Sequence, residues 1–341
     1  MPRLTPLLLA FTLLALPRLS LADPANGILT QEFIYDANPP TPSCHASTIE
    51  QTPDGLVAAW FGGTRERAPD VGIWVSLHRQ GKWSAPVEVA NGVQPDAPRL
   101  PCWNPVLFQQ PNGGPLQLFY KLGPTPHNWW GMLIESTDCG KTWSKPRRLR
   151  DGILGPIKNK PVPLGGNTLL CPSSLEEHGR SVHLERTTDQ GKTWTKTPPL
   201  DDPNAFGAIQ PTILDHGPAG LQILCRSKQK QIVESWSHDA GKTWSPLAAT
   251  KLPNPDSGID AVQLNDGRSV LVYNDTTAHR TPLNLALSPD GKTWAPGPVL
   301  ESAPGEYSYP AIIQSDDGLL HITYTWKRQR IKHLVLDPSK L

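Results

Sequence analysis

Six short segments of the 341-residue chain carry a polar side chain directly ahead of Ala or Pro: "CHAST", "WNPVL", "NKPVP", "IQPTI", "IDAVQ" and "SYPAI". The polar residues are His45, Asn104, Lys160, Gln210, Asp260 and Tyr309, spaced 49 to 59 residues apart. Brought to one place, an imidazole, a carboxylate, an ammonium and a phenol supply a base, an acid, a cation for an anionic group and a nucleophile. Each residue also has a plainer use: Asn104 and Asp260 suit turn caps, Lys160 a solvated rim, and His45 a satisfied structural histidine. Six turn formers in one register would not need to include a Lys, a His and a Tyr, so the group points to a site. Nearby segments add Arg65, Arg67 and Asp70 in "FGGTRERAPDVGIW", Lys121, His127, Trp129 and Trp130 in "FYKLGPTPHNWWG", Lys158 in "GPIKNKP", Arg226 ending "LQILCR" and Arg280 opening "RTPLNLALS". Basic side chains around one mouth imply an anionic ligand, and the tryptophans suit stacking on sugar faces.

A repeating chain would bring residues so far apart to one place. A turn-rich box recurs as "ESTDCGKTWS", "ERTTDQGKTWT", "SWSHDAGKTWS" and "LSPDGKTWA", its tryptophans Trp143, Trp194, Trp244 and Trp294 lying 50 or 51 residues apart, with a worn copy ending at Trp83. A second element, a Gly followed by alternating apolar residues, occurs six times, at Gly55, Gly114, Gly166, Gly220, Gly267 and Gly318. That period is a propeller-blade length. Apolar residues alternate at period two, no segment sustains a 3.6 period, and Pro or Gly fills nearly every gap. These features predict an all-β fold, a six-bladed β-propeller of four-stranded antiparallel blades. The sixth unit has no box, and "QEFIYD" is expected to supply its outer strand and close the ring. Innermost strands converge on a propeller axis, which would bring the six polar residues to one funnel.

With 32 basic and 31 acidic residues, net +1, the chain has no global field for nucleic acid or an anionic membrane. Residues 1–22 read as a signal peptide, with Arg3, the apolar run "LLLAFTLLAL" and "SLA" ending at Ala22, leaving one domain, 23–341, periplasmic or secreted. No later run reaches membrane-spanning length, and a monomer is expected. The five cysteines, an odd number, fit buried thiols better than a disulfide framework. No metal-ligand spacing, P-loop, HExxH or GxGxxG occurs, so neither a metal nor a cofactor is expected.

The box resembles the Asp-box, Ser-x-Asp-x-Gly-x-Thr-Trp, of the sialidase (neuraminidase) superfamily, and the resemblance covers essentially the whole of 23–341. In that family the boxes lie away from the catalytic face. Its Arg-Ile-Pro motif falls on His45, its catalytic Asp after an Arg on Asp70 after Arg65, its other carboxylate-binding arginines on Arg226 and Arg280, and its nucleophilic Tyr on Tyr309, with Tyr307 a rival. The glutamate that polarises the Tyr falls on Gln210. The resemblance implies an exo-glycosidase acting on an anionic oligosaccharide or polysaccharide: Asp70, Tyr309, His45 and Gln210 at the chemistry, and Arg65, Arg226, Arg280, Lys160, Asn104, Lys158, Asp260 and Trp129 around the substrate. His45 and Gln210 depart from the pattern, which argues against ordinary sialic acid. Two other functions fit the same residues: a polysaccharide lyase on a uronate-containing glycan, with His45 as base and Tyr309 as acid, and a non-catalytic carbohydrate-binding propeller.

Overall fold

The computed structural model describes residues 26–35, 38–177, 179–201 and 205–341; the leader expected at 1–22 lies outside them. Strand β1 (Ile28–Phe33) precedes the first blade. Blade one is β2 (Ser43–Thr52), β3 (Gly55–Gly63), β4 (Gly72–Arg79) and β5 (Lys82–Trp83), with β6 (Val87–Ala90) also on β4; blade two is β7 (Cys102–Gln109), β8 (Leu116–Leu122), β9 (Trp130–Ser136) and β10 (Arg147–Arg148). Blade three is β11 (Val162–Pro163), β12 (Leu169–Leu175), β13 (Ser181–Thr187) and β14 (Thr195–Lys196); blade four is β15 (Ile209–Asp215), β16 (Leu221–Arg226), β17 (Gln231–Ser237) and β18 (Ala248–Pro253). Blade five is β19 (Asp260–Gln263), β20 (Ser269–Tyr273), β21 (Leu283–Ser288) and β22 (Ala295–Glu301), and blade six is β23 (Tyr307–Gln314), β24 (Leu320–Trp326), β25 (Arg330–Leu336) and β1. All pairings are antiparallel, so the six expected blades form a β-propeller.

The second strand of a blade is covered on both faces by its neighbours, which explains its apolar character. All seven residues of β8 are buried. Its two faces enter different cores: Leu116, Leu118 and Tyr120 pack against Val57, Ala59 and Phe61 of blade one, while Phe119 packs against Leu169 and Cys171 of blade three. Each such side chain contributes about 1.5–3 kcal/mol by burial, so the ring is held chiefly by apolar contact between blades. The segment "QEFIYD" closes it as expected: Glu32 pairs with His333 and Phe33 with Lys332 on β25. Beyond Phe33 the chain leaves the sheet, and Tyr35 packs on Trp60 of blade one at 5.2 Å.

The boxes bind their own turns. In blade three, Asp189 Oδ1 accepts from Thr187 Oγ1 (2.9 Å) and the Thr193 amide (2.8 Å), and Trp194 Nε1 donates to Gly191 O at 3.0 Å. The Thr193 hydroxyl and amide lead the donors that lower the Asp189 carboxyl to about 2. Adjacent blades clasp these turns: Arg79 donates to Cys139 O, Arg147 to Gly191 O and Gln222 to Gly291 O. Because the boxes follow third strands, they lie on the face opposite the heads of the first strands. The five cysteines are unpaired, four of them buried. Among the described residues no helix is long and apolar enough to cross a membrane.

Candidate active site

Four of the six inner strands carry a bulge near their heads. The ladders shift between His45 and Thr48, Trp103 and Val106, Ile209 and Thr212, and Ser308 and Ala311. Within each shift one residue is left-handed: Ala46 (φ 55°), Asn104 (φ 37°), Gln210 (φ 56°) and Tyr309 (φ 52°). A bulge re-aims a side chain, at a cost of about 1–3 kcal/mol for a non-glycine in this region. The register therefore needs one correction: Ala46, not His45, stands at the place of Asn104, Gln210 and Tyr309, and His45 is one residue earlier.

Gln210 and Tyr309 meet at the centre of the funnel face. Tyr309 Oη accepts hydrogen bonds from Arg226 Nη1 at 2.9 Å and Gln210 Nε2 at 3.2 Å, and Gln210 Oε1 accepts from the same Arg226 nitrogen at 3.2 Å. The His45 ring lies 4.2 Å from the tyrosine ring, while its Nδ1 pairs with Thr325 Oγ1 at 3.1 Å. Burial, reinforced by Arg328, Arg280, Arg226 and Lys158, holds the His45 imidazole well below its ordinary range, so it is neutral at neutral pH. The Arg280 guanidinium stands 5.7 Å from the Tyr309 ring. Gly258 makes room for that ring, since a Cβ there would sit 3.2 Å from Tyr309 Cδ2. Tyr307, the rival, is buried in the blade five–six core with 1% exposure.

Lys158 is behind this cluster and 3% exposed, its ammonium donating to Asn159 Oδ1 (2.8 Å), Ile259 O (2.9 Å) and Pro310 O. Burial lowers it to about 7. Lys160 donates to Asp260 Oδ2 and Ala261 O, both at 2.9 Å, while Asp260 also accepts from Thr212 Oγ1 and the Ile312 amide. These contacts tie blades three to six at the axis, so Lys160 and Asp260 serve one another rather than an open funnel wall. Asn104 is buried at the blade-two bulge, and Trp129 is half-buried with its ring edge on Trp103 at 5.9 Å. Asp70 and Arg65 are exposed on the β3–β4 loop. Asp70 Oδ2 accepts from the Thr64 amide and hydroxyl; desolvation opposes, but these bonds keep the carboxyl lowered.

Several groups at the site carry no periodic mark in the sequence. Asp256 accepts from Arg226 Nε at 2.9 Å and from Arg180 Nη1 at 2.8 Å, which fixes the plane of the Arg226 guanidinium. Glu306 Oε1 accepts from Arg280 Nη1 (2.8 Å) and Arg328 Nε (2.7 Å), and Arg328 Nη1 reaches Glu66 Oε2 at 2.5 Å, tethering the loop of Asp70 to the site. Glu185, at the head of the blade-three box, is fully buried. It accepts from the Leu154 and Gly155 amides at 3.0 and 2.6 Å, while Lys121, lowered to about 7 by burial, donates to Pro156 O; both anchor the loop that delivers Lys158. Among the described residues no cluster of three His, Cys, Asp or Glu side chains is arranged to hold a metal ion.

A sialidase of Bacteroides fragilis (strain YCH46) is 22% identical over 231 residues, covering 62% of this chain and 41% of that protein. The chain thus spans about two fifths of that relative's length. Two solved structures share the fold: a Hadza microbial sialidase, Hz136 (TM-score 0.79, 16% identity, 92% of this chain and 69% of that one), and a Dyadobacter fermentans DSM 18053 protein of unknown function (TM-score 0.75, 17% identity, 91% and 98%). The family model described as BNR repeat-like domain matches residues 54–322, well over half of the chain, and the chain belongs to that family.

Proposed function

We propose that the protein is a sialidase-like exo-glycosidase acting on an anionic glycan whose terminal acidic residue is not ordinary sialic acid. The observation that carries this reading is the Tyr309 hydroxyl at the funnel mouth, bonded to Arg226 with the Arg280 guanidinium 5.7 Å from its ring. In this reading Arg226, Arg280 and Arg328 hold the acidic group, and Tyr309 Oη attacks the anomeric carbon as its phenolic proton passes to solvent water, since Gln210 and Arg226 only donate to it. Asp70 protonates the departing glycosidic oxygen and then, as base, activates the water that releases the sugar. His45 at the head of β2 is smaller than an arginine and neutral, which suits a substrate differing from a sialoside. The leader-like residues 1–22 support action outside the cytoplasm, and we take the working unit to be a monomer.

One observation favours a second reading. Gln210 gives Tyr309 a hydrogen-bond donor where hydrolysis by a tyrosine calls for a proton acceptor, and a neutral His45 lies beside it. In a lyase His45 would take the C5 proton of a uronate, Arg226 would neutralise its carboxylate, and Tyr309 would protonate the leaving oxygen. Acidic oligosaccharides of defined linkage should separate the two. Hydrolysis releases saturated sugars and falls about 100-fold or more in Asp70→Asn and Tyr309→Phe; elimination yields an unsaturated uronate seen by its ultraviolet absorbance. Calorimetric binding without turnover of any acidic glycan, or an Asp70→Asn variant as active as the parent, would sink the glycosidase reading.

A further inference from the structure

We propose that Glu66 is a positioning residue for catalysis: through its ion pair with Arg328 it holds the β3–β4 loop so that Asp70 is placed to give its proton to the departing glycosidic oxygen. The proposal deepens the glycosidase reading and rests on it for the role of Asp70.

Thr64, Arg65, Arg67, Pro69 and Asp70 of this loop are exposed, while Ala68 leans on the core shared by blades one and two. The loop takes its shape from short internal bonds. The Thr64 amide donates to Asp70 Oδ2 at 2.9 Å, the Ala68 amide to Arg65 O at 3.0 Å and the Val71 amide to Ala68 O at 3.1 Å, with Arg67 left-handed at φ 74°. Bonds of this kind make the loop one piece without fixing where that piece sits. Its place is set from outside: Arg99, on the link to blade two, donates to Asp70 O at 2.9 Å, and Arg328 Nη1 of blade six donates to Glu66 Oε2 at 2.5 Å.

The anchor on blade six is stiff and strained. Lys327 (φ 52°) and Arg328 (φ 59°), at the β24–β25 turn, both adopt the left-handed conformation that glycine accepts most readily, and strain of this kind persists where the surroundings hold it in place. The Gln329 amide closes the turn on Trp326 O at 3.0 Å, and the Lys327 amide donates to Glu306 O at 2.7 Å. Glu306 Oε1 also accepts from Arg328 Nε and Arg280 Nη1. The run Glu66, Arg328, Glu306, Arg280 therefore alternates in charge from the Asp70 loop to the guanidinium beside the Tyr309 ring. Arg328 and Glu66 are 29% and 39% exposed, partly shielded from water, and a charge-assisted bond in a network holds geometry better than an isolated surface pair. Arg328 Nη2 takes part in neither carboxylate bond, so the ligand's acidic group can be held without releasing the loop.

A displaced Asp70 slows bond cleavage most where the leaving oxygen needs a proton. 4-Nitrophenolate departs with little help, whereas the alkoxide of benzyl alcohol does not. Two measurements on the full-length protein follow. In hydrogen–deuterium exchange, Glu66→Ala should speed the Ala68 and Val71 amides about ten-fold and leave β16 and β17 unchanged. With benzyl and 4-nitrophenyl D-glucuronides as probes, Glu66→Ala should lower kcat/KM about ten-fold for the benzyl glycoside and less than about two-fold for the nitrophenyl one, and should add nothing in an Asp70→Asn background. A loss of folded protein would slow both probes alike. Loop exchange unchanged in Glu66→Ala overturns the proposal whether or not any glycan is cleaved, and so does equal slowing of the two glycosides. An Asp70→Asn variant that cleaves the benzyl glycoside at the parent rate would instead sink the glycosidase reading, while the exchange result still decides whether Glu66 holds the loop.

Discussion

The ring closes on a buried chain of imidazoles whose titration should govern the stability of the fold. His333 Nδ1 lies 3.0 Å from Glu32 Oε1 on the closing strand, and His333 Nε2 lies 3.1 Å from His321 Nδ1. The Trp83 indole of blade one donates to the same Glu32 oxygen at 3.0 Å, and His78 stands 6.1 Å from His333. The carboxylate sets the tautomers: His333 donates from Nδ1 and accepts at Nε2 from His321. A charge on His321 would be buried in this seam and would face both His333 and His78. Burial first, then His333 and His78, lower His321 to about 4, with Asp317 opposing. The unfolded chain takes up a proton near pH 6.5 that the folded chain refuses until about pH 4, so this stability is complete above the unfolded value and drains away as pH falls between the two. From about pH 7.5 to about pH 5 the loss for His321 alone is about 2 kcal/mol. His321→Gln keeps a donor for His333 Nε2 and cannot titrate. Urea unfolding across this range should show the wild type losing about 2 kcal/mol more than the variant. His45 and His78 also titrate low but are common to both proteins, so the difference isolates the seam. Parallel stability curves for the two proteins would refute the reasoning.

Three further outcomes follow from named contacts. Gln210→Glu places a proton acceptor 3.2 Å from Tyr309 Oη and should raise hydrolysis of an acidic aryl glycoside about ten-fold or more; unchanged initial rates would tell against Tyr309 as nucleophile. Glu185→Gln is nearly isosteric but leaves the Leu154 and Gly155 amides a neutral and partly mismatched partner, and should cost about 2–3 kcal/mol in a denaturant titration. Gly258→Ala puts a methyl 3.2 Å from the Tyr309 ring, so glycan turnover should drop about ten-fold or more while the melting temperature moves by only a few degrees.

How far the sequence could be read depended on whether a feature repeats. Gly55 to Gly318 and the box tryptophans count the blades because the blades share the same needs: a tight turn, a doubly covered second strand and, in blades two to five, a hairpin clamped by its own Asp. The closing strand was equally legible, since a last unit short of one strand leaves an edge that "QEFIYD" satisfies. Individual side-chain destinations were less so. Lys158 and Lys160 are alternate residues on one loop, yet the first reaches Ile259 O and Pro310 O behind Tyr309, whereas the second pairs with Asp260. Asp256, Glu306 and Arg328 come from links and turn tips, where no period marks them, and their bonds reach Arg226 of blade four, Arg280 of blade five and Glu66 of blade one.

The bulges show why register alone misplaced His45. In blades two, four and six the left-handed residue is followed by Pro105, Pro211 or Pro310, and proline suits a place where the ladder is already broken because it has no N–H to lose. Blade one puts Ser47 there, which hides the bulge and moves the apparent register by one residue. The proline does not by itself make the bulge, however: Pro161 follows Lys160, whose φ is not left-handed, and blade three opens with only two paired residues in β11. Where the strand is too short to hold a bulge, the chain places its charged residue by an ion pair across the axis. The site therefore divides in two, with bulged strands aiming Gln210 and Tyr309 at the mouth and the unbulged strands of blades three and five bracing them from below through Lys160 and Asp260.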